Sequence, residues 1–360
     1  MLREEIDQAI QVAVTRSIQT QAYRAYLSDA SKAMADALCM QFVQAECLPA
    51  SSGTAALEIA LRGLGLSEGD EILLSGYDYP GNFWAIERAG GFPVIVDTEM
   101  DSWNMSIESI ERTLEKPNRC RALVASHLHG AIQDMLALRA LCDRHNLFLI
   151  EDCCQLWGKG IGAKADAVIV SFGGGKIISA GRGGALLTRD ESFAQKSRIA
   201  SGAGSGPYAM SEVQCAIVNA QLPFLPRIIG ETSAFFSSVA EELERLQSEI
   251  GQKVGAINQV GAINRPTGIN SVDFAAQQYG FYQIGWLRKT KPASEAPSAS
   301  AVVGHGFPGF HRRSARRCRT PAPLSNAPAV ANRTVVLHHR IALEGTLAPV
   351  DVAKAMLGEQ

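Results

Sequence analysis

Between about residue 50 and residue 200, short apolar or β-branched runs alternate with stretches of helical periodicity, and this alternation restricts the fold of the 360-residue chain more than any other feature. The runs are Glu71–Leu74, Pro93–Val96, Ala122–Ser126, Leu147–Ile150, Ala167–Phe172 and Ala185–Thr188. Helical candidates fall between them, near 55–65, 81–90, 106–115, 133–145 and 191–200. Strands that alternate with helices predict an α/β fold, with a mostly parallel sheet covered by helices on both faces. Such sheets take ligands at the carboxyl ends of their strands, so chemistry is expected in the loops that follow each run.

The flanks read differently. Residues 1–46 are helical and alanine-rich, and residues 208–250 carry two more helical patterns, the second over Glu231–Ile250. Residues 251–330 are rich in Pro, Ala, Ser and Gly. Within Arg288–Arg319, Arg288, Lys289, Lys291 and the arginines at 312, 313, 316, 317 and 319 stand against Glu295 alone. This stretch suits an anionic ligand or a solvated face. A strand-like Thr334–Leu337 and a helix near 348–357 follow. The expected division is a large α/β domain over 1–230 and a smaller C-terminal α+β domain over 231–360.

Composition excludes several classes. Hydrophobic residues at 46% and charged residues at 19% are globular values, which argues against wholesale disorder. A net charge of −2 disfavours a basic nucleic-acid binder. No apolar run approaches the roughly 18 residues of a membrane span. The opening residues carry acids where a signal peptide is apolar, and the eight cysteines form no C-x-x-C pair. A cytoplasmic chain with reduced thiols and no membrane partner is expected.

Four places could carry chemistry. Lys176 follows the apolar run Ala167–Val170 among glycines 173–175; a partly desolvated lysine there could act as a nucleophile, or be a solvated loop residue. Ile177 stands where a P-loop needs Ser or Thr. Asp152 closes the apolar run Leu147–Ile150, where an acid can hold a cation or a protonated ring nitrogen, or cap the next turn. Gln155 lies three residues on. Ser52-Gly53-Thr54 opens an amphipathic helix, which is either a phosphate site or an ordinary cap. Tyr77-Asp78-Tyr79-Pro80 follows another strand and offers an aromatic to a flat ring, or a loop anchor. No metal site is expected from His127 and His129.

Together, in this order, the pieces resemble the DegT/DnrJ/StrS-type sugar aminotransferases, pyridoxal-phosphate enzymes of the type I fold. Ser52-Gly53-Thr54-Ala55-Ala56-Leu57 is similar to S-G-T-x-A-L, Gly69-Asp70-Glu71-Ile72 to G-D-E-[VI], and Pro93-Val94-Ile95-Val96-Asp97 to P-V-x-V-D. His127-Leu128-His129-Gly130 with Asp134-Met135, Glu151-Asp152-Cys153-Cys154-Gln155, and Ser171-Phe172 with Lys176 and Gly181–Gly184 continue the series. Two departures are visible. Gly206-Pro207-Tyr208-Ala209-Met210 replaces the family's G-x-N-Y-R-M, a segment that serves the partner's site, and Asp78 stands where a small residue or Thr is usual.

The resemblance implies roles. Lys176 would be the Schiff-base lysine and Asp152 the partner of the pyridine nitrogen. Gln155 would lie near the ring hydroxyl, Tyr79 would stack on the ring, and Gly53, Thr54 and Ser171 would bind the phosphate. The implied reaction moves an amine from glutamate or glutamine to a keto sugar, nucleotide-linked, or to a cyclitol, in polysaccharide or secondary-metabolite biosynthesis. A homodimer with shared active sites is implied too. Two other readings stay open: a pyridoxal-phosphate-dependent sugar dehydratase, which a lysine at 176 disfavours, and a non-catalytic or regulatory relative.

Overall fold

The computed structural model describes residues 2–253, 279–287 and 303–357, apart from 101, 117, 159, 203–205, 282 and 346. Arg288, Lys289, Lys291 and Glu295 lie outside the described residues. The chain opens with α1 (Leu2–Gln19) and α2 (Asp29–Phe42), then β1 (Glu46–Ala50), α3 (Gly53–Gly63), β2 (Glu71–Ser75), α4 (Pro80–Arg88) and β3 (Phe92–Val96). It continues through α5 (Ile107–Leu114), β4 (Cys120–Ser126), α6 (Met135–His145), β5 (Phe148–Asp152), β6 (Leu156–Gly158), β7 (Ala167–Ser171) and β8 (Gly184–Thr188). After these come α7 (Glu191–Ala200), α8 (Glu212–Gln221), α9 (Leu225–Lys253), β9 (Tyr279–Phe281), β10 (Gln283–Leu287) and β11 (Val303–His305). The last elements are α10 (Ala327–Arg333), β12 (Thr334–His338), α11 (Arg340–Glu344) and α12 (Pro349–Leu357).

Seven strands form the main sheet in the order β1-β8-β7-β5-β4-β2-β3. Only β8 runs against its neighbours; the other pairings are parallel. The strands are apolar on both faces because helices cover both. Their two-residue period sorts the core. Ile72, Leu74, Val124, Ile150 and Ile169 pack with α3, α4 and α7, whereas Leu73, Leu123, Leu149, Val168 and Val170 pack with residues of α2, α6, α8 and α9. The same period puts Glu151 and Asp152 on opposite faces. A second sheet, β10-β12-β11, is antiparallel, and β9 pairs with β6.

Local signals set the helix ends near the site. Ser52 caps α3 by accepting from Ala55 N at 3.0 Å, and Pro80 occupies the first turn of α4, where its missing N–H costs nothing. Asn146 ends α6 in the left-handed region at φ 52°, a conformation asparagine tolerates. Helices α2 and α8 are tied together by the buried Glu212, whose carboxylate accepts from Ser28 N and Ser31 N, both at 3.1 Å.

The motif aspartate Asp97 has a structural task. Its carboxylate accepts from Ser325 N at 2.7 Å, Asn326 N at 3.0 Å and Ala327 N at 2.8 Å, so it caps α10 from the end of β3. The chain before α10 also docks on the sheet edge, where Ile95 N donates to Arg319 O at 2.8 Å and Arg319 N to Pro93 O at 3.0 Å. Asp97→Ala should therefore destabilise the protein by about 2–3 kcal/mol, read as a lowered urea midpoint. An unchanged midpoint would remove this assignment.

Candidate active site

The site gathers at the carboxyl ends of β2, β4, β5 and β7, as the parallel sheet predicts. The first turn of α3 lies against the end of β7. A Cβ added to Gly53 would stand 2.8 Å from Cys154 Sγ and 2.9 Å from Ser171 Cβ, so only glycine lets the helix start this close. The opening turn of a helix presents backbone N–H groups without intrahelical partners, which suits a phosphate. Thr54 is half-buried beside Gly81 and Tyr79, and Ser171 Oγ accepts from Gly173 N at 3.2 Å.

Asp152 sits buried at the end of β5. Its Oδ1 accepts from Cys154 N at 2.9 Å and its Oδ2 from Asn82 Nδ2 at 2.8 Å. A second carboxyl, Asp78, is fully buried next to it. Asp78 Oδ1 accepts from Tyr79 N at 2.6 Å and Asn82 Nδ2 at 3.2 Å, and its Oδ2 accepts from Ser126 Oγ at 2.9 Å. Burial, followed by the charge of Asp152, pushes the Asp78 carboxyl well above the usual range.

Lys176 follows β7 on the loop Gly173–Gly175. Burial pulls its amine below the ordinary lysine value, while Cys154 and Asp152 oppose the shift. Gln155 is buried, and its Oε1 accepts from His129 N at 3.1 Å. His129 packs among Tyr77, Trp103 and Phe307 with a φ of 54°. Tyr77 Oη accepts from Phe307 N at 2.9 Å and shares a hydrogen bond with His129 Nε2, also at 2.9 Å. Burial, followed by Lys176, pulls the His129 pKa down to about 3. Gly285 closes over this residue, since a Cβ there would lie 2.7 Å from His129 Cβ.

Each residue singled out in the sequence falls near this centre. Asp152 and Lys176 face each other electrostatically, Gly53 touches Ser171, and Tyr79, 45% exposed, stands beside Thr54 and within the field of Asp152. The two motif histidines follow β4 rather than lying on it, and they part. His127 Nε2 donates to Glu151 Oε1 at 2.9 Å, while its Nδ1 accepts from Gln133 N at 3.1 Å. Potential metal-ligand atoms of His127, Glu151 and Cys153 lie within 4.8 Å of one another. The histidine's two ring nitrogens are already engaged within the protein, and this set reads as a structural brace.

Sequence reasoning missed Asn82 and Ser126. A signal for Asn82 existed, because it lies one helical turn after Asp78. The basic stretch also resolves into specific tasks. Arg317 Nε bonds Glu87 at 2.7 Å, Arg319 Nε bonds Glu71 at 2.8 Å, and the Arg313 guanidinium lies 5.1 Å from the centre of the Phe83 ring. These residues fasten the segment 313–319 to α4 and β2. In the departed segment, Tyr208 turns inward on its own chain, donating from Oη to Glu58 Oε1 at 2.6 Å.

A mixed α/β sheet with one reversed strand, flanked by helices on both faces, is the architecture of the type I pyridoxal-phosphate transferases. The chain belongs, within that class, to the DegT/DnrJ/EryC1/StrS aminotransferase family, whose model matches residues 4–264. It is 35% identical over 182 residues to an L-glutamine:2-deoxy-scyllo-inosose aminotransferase of Streptomyces lividus, covering 47% of this chain and 42% of that protein. It is 34% identical over 151 residues to a GDP-perosamine synthase of Vibrio cholerae, covering 41% of each. The matches thus span about two-fifths of these relatives' lengths. The fold matches DesV of S. venezuelae, solved with a ketimine intermediate, at a TM-score of 0.77 and 24% identity, over 100% of this chain and 98% of that one. Among the described residues no helix is long and apolar enough to cross a membrane.

Proposed function

We propose that this chain is a pyridoxal-phosphate-dependent aminotransferase that moves an amino group from glutamate or glutamine to a keto sugar, nucleotide-linked, or to a cyclitol. The observation that carries the reading is the pairing of a partly desolvated lysine, Lys176, with the buried acid Asp152 at the carboxyl ends of neighbouring strands. The glutamine-dependent relative at 35% identity supports the donor, and the cyclitol and nucleotide-sugar names of the relatives support the acceptor class. Work in the cytoplasm as a homodimer is part of the same proposal.

Pyridoxal phosphate, when bound, supplies an aldehyde that takes up amines and a ring that withdraws electrons. The residues fit such a group. Gly53, Thr54 and Ser171 would hold its phosphate, with the small Gly53 leaving the helix start accessible. Tyr79 would offer its ring a stacking face, and Gln155 would serve the ring hydroxyl. Asp152 would keep the ring nitrogen protonated. Lys176 would hold the group covalently and would take and return the proton at the reacting carbon. Burial, which lowers its pKa, favours the neutral amine that a base needs.

Borohydride reduction of the protein with pyridoxal phosphate, followed by peptide mass spectrometry, tests this. The expected result is a pyridoxyl adduct on the peptide bearing Lys176. An adduct elsewhere, or none, would overturn the reading.

A further inference from the structure

Asp78 and Asp152 come from different elements and share too few donors. Tyr79 N and Asn82 Nδ2 serve Asp78 Oδ1, at 2.6 and 3.2 Å. Cys154 N serves Asp152 Oδ1 at 2.9 Å, and Asn82 Nδ2 serves Asp152 Oδ2 at 2.8 Å. Ser126 Oγ reaches both acids, Asp78 Oδ2 at 2.9 Å and Asp152 Oδ2 at 3.5 Å. A hydroxyl has one hydrogen and cannot donate to both. A proton on one carboxyl closes the shortage, because that carboxyl donates to Ser126 and Ser126 donates onward.

We propose that Asp78 is a positioning residue that carries this proton: through Ser126 it hands a hydrogen bond to Asp152, fixes that carboxylate in place and confines the pair's one negative charge to Asp152. The proposal rests on the reading of Asp152 as partner of the cofactor's ring nitrogen. The assignment of the proton follows from surroundings. Asp152 lies within the field of Lys176, whereas the largest charge acting on Asp78 is the like charge of Asp152. The other titratable groups facing Asp78 are the Cys154 thiol after β5 and the phenols of Tyr77 and Tyr79 on its own loop. Two adjacent buried carboxylates cannot both ionise cheaply.

The sign of the pH effect follows. A carboxyl whose folded pKa is raised contributes fully below its unfolded value, about 4, and its contribution is lost as pH rises toward the folded value. Asp78→Asn keeps an N–H donor toward Ser126 and has no proton to lose. In cofactor-free protein, the melting temperature of Asp78→Asn relative to the wild type should climb by about 5 °C or more between pH 5 and pH 8. A constant gap would show that Asp78 is not the proton carrier.

A second readout isolates positioning. At pH 8 the dissociation constant for pyridoxal phosphate should stay within about threefold of wild type in Asp78→Asn and rise about tenfold or more in Asp78→Ala. Equal constants in the two variants would overturn the positioning role. Should Asp78→Asn fail to fold, infrared spectroscopy of wild-type protein carrying ¹³C-labelled aspartate decides. A protonated carboxyl stretch at pH 8 supports the proposal, and its absence overturns it. Wild-type protein that binds no pyridoxal phosphate would overturn the proposed function, while the pH-dependent gap still reports the proton on Asp78.

Discussion

Lys176→Ala should abolish the borohydride-fixed adduct and lower amino transfer by about 10⁴-fold or more, because it removes the covalent anchor and the base together. Lys176 follows β7 instead of filling it, so the melting temperature of the cofactor-free variant should match the wild type within a few degrees. In the wild type, turnover should rise with pH as Lys176 deprotonates, with its midpoint below that of an ordinary lysine, since burial depresses the amine. A steady-state assay with glutamine and a keto cyclitol reads both effects. Substantial turnover by Lys176→Ala would take the lysine out of the chemistry.

The second large effect belongs to Asp152. Asp152→Asn preserves the shape of the side chain and removes its charge, so the ring nitrogen loses the anion that keeps it protonated. A loss of about 10³-fold in kcat/KM is expected. Stability should fall only modestly. Asp152→Asn replaces one of two accepting oxygens, which take hydrogen bonds from Cys154 N and Asn82 Nδ2, with an N–H donor, so the cofactor-free variant should melt a few degrees below the wild type. A variant with near-normal kcat/KM would sink the assignment of Asp152. A general collapse of stability would argue instead that Asp152 is chiefly structural.

Much of the large sheet was legible because its strands are buried on both faces. Leucine, isoleucine and valine runs such as Leu147–Ile150 and Ala167–Val170 stand out from the helical periodicity around them. The edge strand Glu46–Ala50 was not legible. It is short, contains Pro49 and pairs on one side only, which is where a strand can carry proline. The reversed direction of Gly184–Thr188 also leaves no mark in its residues, because strand sense depends on the connection, not on side chains.

The site divides in the same way. Lys176, Asp152 and the Ser52–Thr54 turn are residues whose position after a strand or before a helix suggests chemistry. The coupling of Asp78 to Asp152 joins positions 74 residues apart, through a serine and an asparagine that look ordinary in the sequence. His129 is similar. Its enclosure depends on Phe307 and Gly285, which meet it only after the C-terminal strands have docked.

The cap that Asp97 provides for α10 links residues 230 positions apart in the chain. A ribosome adding about 5–20 residues per second needs roughly 10–50 s to travel from one to the other. For that interval the emerging large lobe exposes a sheet edge at β3 and a carboxylate whose partners do not yet exist. The edge is one that residues 310–319 later cover. The nascent chain therefore passes through a stage in which its half-built sheet is open to association with other chains, and the C-terminal segment serves as the seal that ends it.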